Sequence, residues 1–162
     1  MAKRTYEDTA LRVLWDSSLC IHTGKCIRSS DGVFEPTRRP WVDLTQADTS
    51  TVVAAIENCP TGALRYERLD GEPGEQPDVP TTVVPWPNGP LMVRGELEVN
   101  DRHGETFLAG PRAALCRCGG SKNQPFCDLT HKDLRFRDYP RVDTPERDAA
   151  AGPTDISPEE LA

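Results

Sequence analysis

The side chains best suited to chemistry in this chain are six cysteines and one histidine, and they fall into two groups. The first group consists of Cys20, Cys26 and Cys59, and the second of Cys116, Cys118, Cys127 and His131. Thiolates and imidazole are the ligands that proteins use for zinc and for iron–sulfur clusters. Because the N-terminus lacks the apolar stretch of a secretory signal, we expect a reducing compartment and metal ligation rather than disulfides.

The spacing in the second group distinguishes between two kinds of metal site. One residue separates Cys116 from Cys118, eight residues separate Cys118 from Cys127, and three residues separate Cys127 from His131. Structural zinc sites usually place two to four residues between paired cysteines. A single intervening residue suits two sulfurs on one iron, with Cys127 and His131 on a second iron. An iron–sulfur cluster is therefore favoured, and zinc is the alternative.

Residues 116–131, CRCGGSKNQPFCDLTH, resemble the CDGSH iron–sulfur signature, the family that includes mitoNEET. The resemblance covers residues 86–138 and includes Ser121, Pro125 and Asp128. A Leu129-Thr130 pair replaces the family's Gly-Ser. The leucine is a departure from the family pattern, and it bears on the tight backbone of this turn and not on the ligand set. The resemblance implies a [2Fe-2S] cluster near the surface, held by Cys116, Cys118, Cys127 and His131.

The first group resembles a divergent single-cluster ferredoxin across residues 9–70. Bacterial ferredoxins use C-x2-C-x2-C and a remote Cys-Pro; here Cys20, Cys26 and Cys59-Pro60 are present, but Thr23 occupies the middle position. Three thiolates leave one corner of a cubane without a cysteine. The cluster is then [3Fe-4S], or [4Fe-4S] with its last iron held by water, a small thiol or His22. The alternatives are a surface role for His22 and a ferredoxin fold that has lost its cluster.

Hydrophobic periodicity places these residues on short elements of an α+β fold. In the first half we predict strands at 11–15, 33–35, 41–43 and 63–66. A helix over 46–58 is predicted to start at a loose Thr45-x-x-Asp48 capping box and to end before Pro60. In the second half we predict strands at 91–99, 105–108 and 112–115, the last leading to Cys116.

Composition divides the chain into two small modules. We predict a ferredoxin-like domain at 1–70, a proline- and glycine-rich linker at 71–85, a β-rich CDGSH iron–sulfur domain at 86–140 and an acidic, disordered tail at 141–162. The linker contains no basic residue, and the tail has six acidic residues against two basic ones.

The charge balance bears on partners. With 19 basic and 26 acidic residues the net charge is −7, which argues against nucleic-acid binding. The longest apolar run, around residues 52–56, is too short to cross a bilayer. We therefore expect a cytoplasmic protein that binds neither nucleic acid nor membrane.

No nucleophile–base pair, phosphate loop or dinucleotide motif is present, so we expect a carrier rather than an enzyme. The primary hypothesis is a single-electron carrier serving a redox partner protein, either a reductase or an oxygenase. The alternatives are a redox or iron sensor, a cluster donor, and a structural scaffold. The single CDGSH motif resembles the homodimeric branch of its family, which implies a homodimer, and the alternative is that the N-terminal module occupies the dimer surface.

Overall fold

A computed structural model describes residues 3–138, which form two three-stranded antiparallel sheets. The first sheet contains β1 (Lys3–Glu7), β2 (Leu11–Asp16) and β3 (Leu64–Arg68). The second contains β4 (Thr82–Pro85), β5 (Leu91–Asn100) and β6 (Thr106–Leu115). The described helices are α1 (Lys25–Arg28), α2 (Thr49–Glu57) and α3 (Thr130–Asp133), with a 3₁₀ turn at Leu44–Gln46. The predicted disordered tail, 141–162, lies outside the described residues.

The central strand of the first sheet has the alternation that its sequence predicts. Leu11 and Val13 are fully buried, whereas Arg12 and Leu14 between and beyond them are only partly buried. Strand β1 is absent from the sequence predictions because nearly all of its side chains are exposed, so no apolar alternation marks it. Backbone pairing with β2 holds it at the sheet edge.

Helix α2 begins later than predicted. Asp48 is itself the N-cap, and its carboxylate accepts a hydrogen bond from the backbone N–H of Thr51 at 3.0 Å. The predicted capping box at Thr45 is therefore wrong, since Thr45 lies in the preceding 3₁₀ turn, which Asp43 caps. Likewise, the strands predicted at 33–35 and 41–43 are reduced to a single antiparallel bridge between Phe34 and Val42.

The second sheet corrects two expectations. Residues 82–85, which the sequence assigns to the linker, form β4 and pair with β5, with Val83 opposite Val93. Residues 106–115 form one continuous strand instead of two, although Pro111 lies inside it. Proline is tolerated there because β6 is an edge strand and Pro111 lies where the β5–β6 register shifts.

The two sheets share one hydrophobic core. Fully or nearly fully buried side chains from the first half pack in the same cluster as side chains from the second half. The first half supplies residues of β2, α2 and β3, and the second half supplies Val93, Leu108, Ala113 and Phe126. The proline-rich segment therefore joins two modules that pack against each other, rather than holding them apart.

The guanidinium of Arg112, on β6, is 1% exposed and lies at the end of α2. Its Nη1 and Nη2 atoms donate to four backbone carbonyls, those of Ile56 (2.7 Å), Glu57 (2.6 Å), Cys59 (2.7 Å) and Leu64 (3.3 Å). Nη2 also lies 2.7 Å from a carboxylate oxygen of Glu75 in the proline-rich segment. A helix end leaves carbonyls unpaired and carries partial negative charge, so a buried cation there satisfies both.

Gly62 marks the closest backbone approach between the modules. Its φ of +69° lies in the left-handed region, and an added Cβ would be 2.7 Å from the carbonyl oxygen of Arg112. Both the conformation and the space require glycine at this position.

Replacing Arg112 should strongly destabilise the whole molecule. We expect Arg112→Met to lower the free energy of unfolding by about 3–5 kcal/mol, because it leaves the Glu75 carboxylate and several buried carbonyls without a partner. Chemical denaturation measures this loss. Arg65→Met is the matched control, since Arg65 makes one exposed hydrogen bond to the carbonyl of Ala109 and should change stability by about 1 kcal/mol or less. Equal losses would contradict the role given to Arg112.

Gly62→Ala tests the close approach directly. Left-handed strain and the collision with β6 should together cost about 2 kcal/mol or more. Gly74→Ala is the control, because nothing lies within 4 Å of its added Cβ and its φ is not in the left-handed region. A thermal unfolding midpoint that is unchanged by Gly62→Ala would show that the modules separate at this point.

Candidate metal centres

Three different elements bring the N-terminal cysteines together. Cys20 lies in the loop after β2, Cys26 lies in α1, and Cys59 lies just after α2. All three line one small cavity, together with Trp15 and Trp41. The structure thus brings together residues that are 39 positions apart in sequence, from Cys20 to Cys59.

The thiols of this site are shielded from water and close enough to influence one another. Burial first, and then the charges of Cys59 and Cys20, raise the pKa of Cys26 to about 11. Burial likewise raises the pKa of Cys20, with Cys59 adding to the effect and a backbone hydrogen bond at His22 opposing it. Sulfurs that repel one another as thiolates need a cation between them, as an iron–sulfur core provides.

The cavity is also lined by Thr23, which stands where a ferredoxin has its middle cysteine, and by the neighbouring His22. His22 is exposed, has a φ of +52°, and places its Nδ1 atom 3.8 Å from the Cys20 sulfur. Thr23 also lines the cavity, and its carbonyl accepts a hydrogen bond from Arg28. His22 therefore lies beside the Cys20 sulfur, a position that is compatible with its role as one of the alternatives for the fourth ligand.

A further feature fits an added group in this cavity. The indole Nε1 atom of Trp41 is buried and has no hydrogen-bond partner among the described residues. Buried N–H groups are rarely left without an acceptor. Since Trp41 lines the cysteine cavity, the sulfurs of a cluster would provide acceptors that the protein itself does not. The donor set and this N–H group both fit an iron–sulfur cluster.

The C-terminal ligands form two pairs. The sulfurs of Cys116 and Cys118 are 3.8 Å apart, and the sulfur of Cys127 is 3.4 Å from Nδ1 of His131. Burial raises the pKa of Cys127, and the charges of Cys116 and Cys118 add to this increase. Within residues 3–138, no group of three or more His, Cys, Asp or Glu side chains is arranged around a single metal ion.

Side chains of the CDGSH motif fix the loop that carries these ligands. Ser121 donates to the carbonyl of Phe126 at 2.7 Å and accepts from the N–H of Asn123. The Asp128 carboxylate accepts from the backbone N–H groups of Thr130 and Lys122. These hydrogen bonds, that of Thr130 first, lower the pKa of Asp128 to about 2, so the carboxylate stays charged and the turn stays closed.

The departure at Leu129 has a visible consequence. Its φ is +73° at the start of α3, a conformation that costs a non-glycine residue roughly 1–2 kcal/mol. Its backbone N–H still points to the Cys127 sulfur at 3.4 Å. The leucine thus keeps the turn, at a cost in strain, and leaves the ligands in place.

Sequence reasoning missed two residues of these sites. Arg117 donates to the carbonyls of Gly89 and Trp86 and lies 2.7 Å from the Asp138 carboxylate, so it ties the cysteine loop to the start of β5. Ile21 is 8% exposed and lies in one buried cluster with Ala114 and Cys127. Neither has a local signal, because both act through contacts with distant segments.

The Cys20 loop connects the two candidate sites. Ile21 lies in this loop, lines the N-terminal cysteine cavity, and belongs to one buried cluster with Ala114 and Cys127. The same loop is held to the CDGSH loop by Asn123, whose Nδ2 atom donates to the carbonyl of Ser18 at 2.8 Å. The two sets of candidate ligands are therefore on segments that pack together.

This fold and its two sets of sulfur ligands define a protein built from iron–sulfur binding domains. Residues 6–69 match the family model for divergent 4Fe-4S mono-cluster domains, and residues 88–132 match the iron-binding zinc finger of CDGSH type. The first half of the chain belongs to the divergent 4Fe-4S mono-cluster family, and the second half matches the CDGSH model over residues 88–132. Both resemblances drawn from the sequence are confirmed.

Two curated relatives match the N-terminal part. The chain is 36% identical over 63 residues to the uncharacterized protein YjdI of Escherichia coli K12, a match that covers 39% of this chain and 83% of the relative. The YjdI protein of Escherichia coli O157:H7 gives the same figures. No helix among residues 3–138 is both long enough and apolar enough to cross a membrane.

Mild acid should release the C-terminal cluster. Burial and the neighbouring Lys132 lower the pKa of His131, while Asp128 opposes them, so the neutral imidazole that metals bind is present at neutral pH. Protons compete for that nitrogen as the pH falls, and visible absorption of this cluster should decay faster from about pH 8 to about pH 6.

The substitution His131→Cys should slow this acid decay and lower the reduction potential, because it supplies a negatively charged ligand. His103→Cys is the matched control, since His103 lies in the exposed β5–β6 turn, and it should leave both quantities unchanged. Decay and potential that do not respond to His131→Cys would remove His131 from the ligand set.

Proposed function

We propose that this protein is a two-cluster electron carrier, passing single electrons to or from a redox partner protein such as a reductase or oxygenase. In the C-terminal module, Cys116, Cys118, Cys127 and His131 would hold a [2Fe-2S] cluster. In the N-terminal, divergent ferredoxin-like module, Cys20, Cys26 and Cys59 would hold a [4Fe-4S] or [3Fe-4S] cluster, with His22 beside the corner that lacks a cysteine. Such clusters, when bound, accept and release one electron at a time.

The observation that supports the proposal is that the loop carrying Cys20 packs against the segment carrying Cys127. Ile21 of that loop lies in one buried cluster with Ala114 and Cys127, and Ser18 of the same loop accepts a hydrogen bond from Asn123. Two separate structural metal sites need no such proximity. A carrier needs it, because its two sites must exchange electrons with each other as well as with a partner.

The chemistry of the ligands supports a direction of transfer. The C-terminal set replaces one thiolate with a neutral imidazole, and fewer negative ligands favour the reduced form, as in Rieske centres. The N-terminal set offers three thiolates and no imidazole among the cysteines that line its cavity. The two sets therefore differ in charge, and unequal potentials are expected.

Anaerobic reconstitution with iron and sulfide tests the proposal. We expect about five irons per chain if the N-terminal cluster is [3Fe-4S] and about six if it is [4Fe-4S], with colour that bleaches reversibly on reduction by dithionite. An isotropic EPR signal of the oxidised protein would identify the [3Fe-4S] form. Because the ligand sets are neighbours, the EPR signals of the two clusters should also broaden each other when both are paramagnetic.

Single-site variants assign the signals. Cys59→Ser should remove only the N-terminal cluster, and Cys118→Ser, its matched control in the other module, only the C-terminal one. The mutual broadening should vanish in both. A colourless protein with bound zinc would overturn the carrier. Irreversible loss of colour with transfer to an apo-acceptor would instead identify a cluster donor.

A further inference from the structure

The outer side of the N-terminal cysteine cavity opens onto a partly apolar depression of about 330 Å³. We call it the tryptophan face, and it is formed by Trp15, Ile27, Pro36 and Trp41 with Arg4 and Arg39 at its edges. Ile27 is 40% exposed. Cys20 and Cys26 also line this depression, so this face gives an approach from solvent to that set of candidate ligands.

The charged residues that line this face are all basic. The Arg4 guanidinium lies over the Trp15 ring, 5.9 Å from its centroid. Arg39 donates only to the backbone carbonyls of Pro36 and Arg38. Neither forms an ion pair with any residue in the described range 3–138. The exposed Arg28, next to Ile27, adds a third unpaired cation.

The nearby carboxylates accept hydrogen bonds from groups other than these arginines. Glu35 accepts from both the hydroxyl and the N–H of Thr37, and Asp43 caps the 3₁₀ turn. Asp16 is 9% exposed and bound to the turn that follows β2. In a chain with a net charge of −7, a positive patch around an apolar centre is contrary to the overall charge.

We propose that the tryptophan face is the docking surface for the redox partner, and that the partner presents an acidic surface with an apolar residue at its centre. Aromatic and apolar side chains supply the buried centre of an interface, and a charged rim steers the partner and sets its orientation. The inference rests on the proposed carrier function and adds the chemistry of the partner to it. Electrons would enter or leave at the N-terminal site, directly beneath the docked surface.

A short acidic peptide with a central Leu-Trp pair is a probe of this surface, with a Ser-Ser version as its control. Titration calorimetry with the reconstituted full chain should show binding of the Leu-Trp peptide, weakened about tenfold by raising ionic strength from about 0.01 M to about 0.3 M. The Ser-Ser peptide should bind at least about fivefold more weakly, because it lacks the apolar centre.

Charge-matched variants locate the binding. Arg4→Gln combined with Arg39→Gln should weaken the Leu-Trp peptide about fivefold or more. Arg65→Gln combined with Arg102→Gln, which removes the same charge from other exposed positions, should leave it within about twofold. Circular dichroism checks that each double variant is folded. Equal effects of the two pairs, or no binding by the parent, would overturn the proposal.

Small redox reagents give an independent measurement. Ferricyanide takes one electron from the reduced protein to become ferrocyanide, and its trivalent anion should react faster at low salt than at high salt with the N-terminal cluster, followed by freeze-quench EPR. The Arg4/Arg39 pair should lower the low-salt rate about threefold. A rate that rises with salt would mean that the negative charge of the chain repels ferricyanide at the tryptophan face. That result would overturn the proposed docking surface.

Failure of the carrier and failure of the docking surface are distinguishable. Peptide binding by a protein that shows no reversible redox change rejects the carrier but leaves an acidic ligand on the tryptophan face. Reversible redox chemistry without peptide binding keeps the carrier and rejects this surface.

Discussion

The buried guanidinium of Arg112 fixes the backbone near both candidate metal sites. Arg112 leaves β6, enters the first module, and pairs with the carbonyls at the end of α2, among them that of Cys59. Three residues beyond it, β6 ends at Leu115 and delivers Cys116 to the second centre. Strand β6 thus fixes the backbone at one candidate ligand of each module, Cys59 in the first and Cys116 in the second. Because a desolvated cation needs every available acceptor, its position leaves little freedom to the segments around it.

The electrostatics of the two centres point the same way. Burial and mutual repulsion disfavour the thiolates of Cys26 and Cys127 in the metal-free protein, so a positively charged metal core would relieve an unfavourable arrangement. In small domains of this kind, metal binding contributes to the free energy of folding. Here the common hydrophobic core and Arg112 add a contribution that neither module has by itself.

The arrangement of the centres is asymmetric. The first lies beneath an aromatic, basic face, and the second lies behind the Cys20 loop, next to a separate cavity lined by His131, Trp86 and Lys132. Each set of candidate ligands therefore lies beside its own cavity, while Ile21 of the Cys20 loop lies in one buried cluster with Cys127.

By itself the sequence predicted two sets of candidate ligands, because short spacings such as Cys116 to His131 and the Cys59-Pro60 pair are local patterns. It also predicted most strands and a helix at 46–58, which the structure shortens to Thr49–Glu57, because their apolar alternation is local. Only the tertiary structure decided that the modules share a core, that β1 and β4 exist, and that Ile21 lies in one buried cluster with Cys127. Those features depend on contacts between residues far apart in the chain, as between Arg112 and Ile56, and such contacts leave no periodic pattern in the sequence.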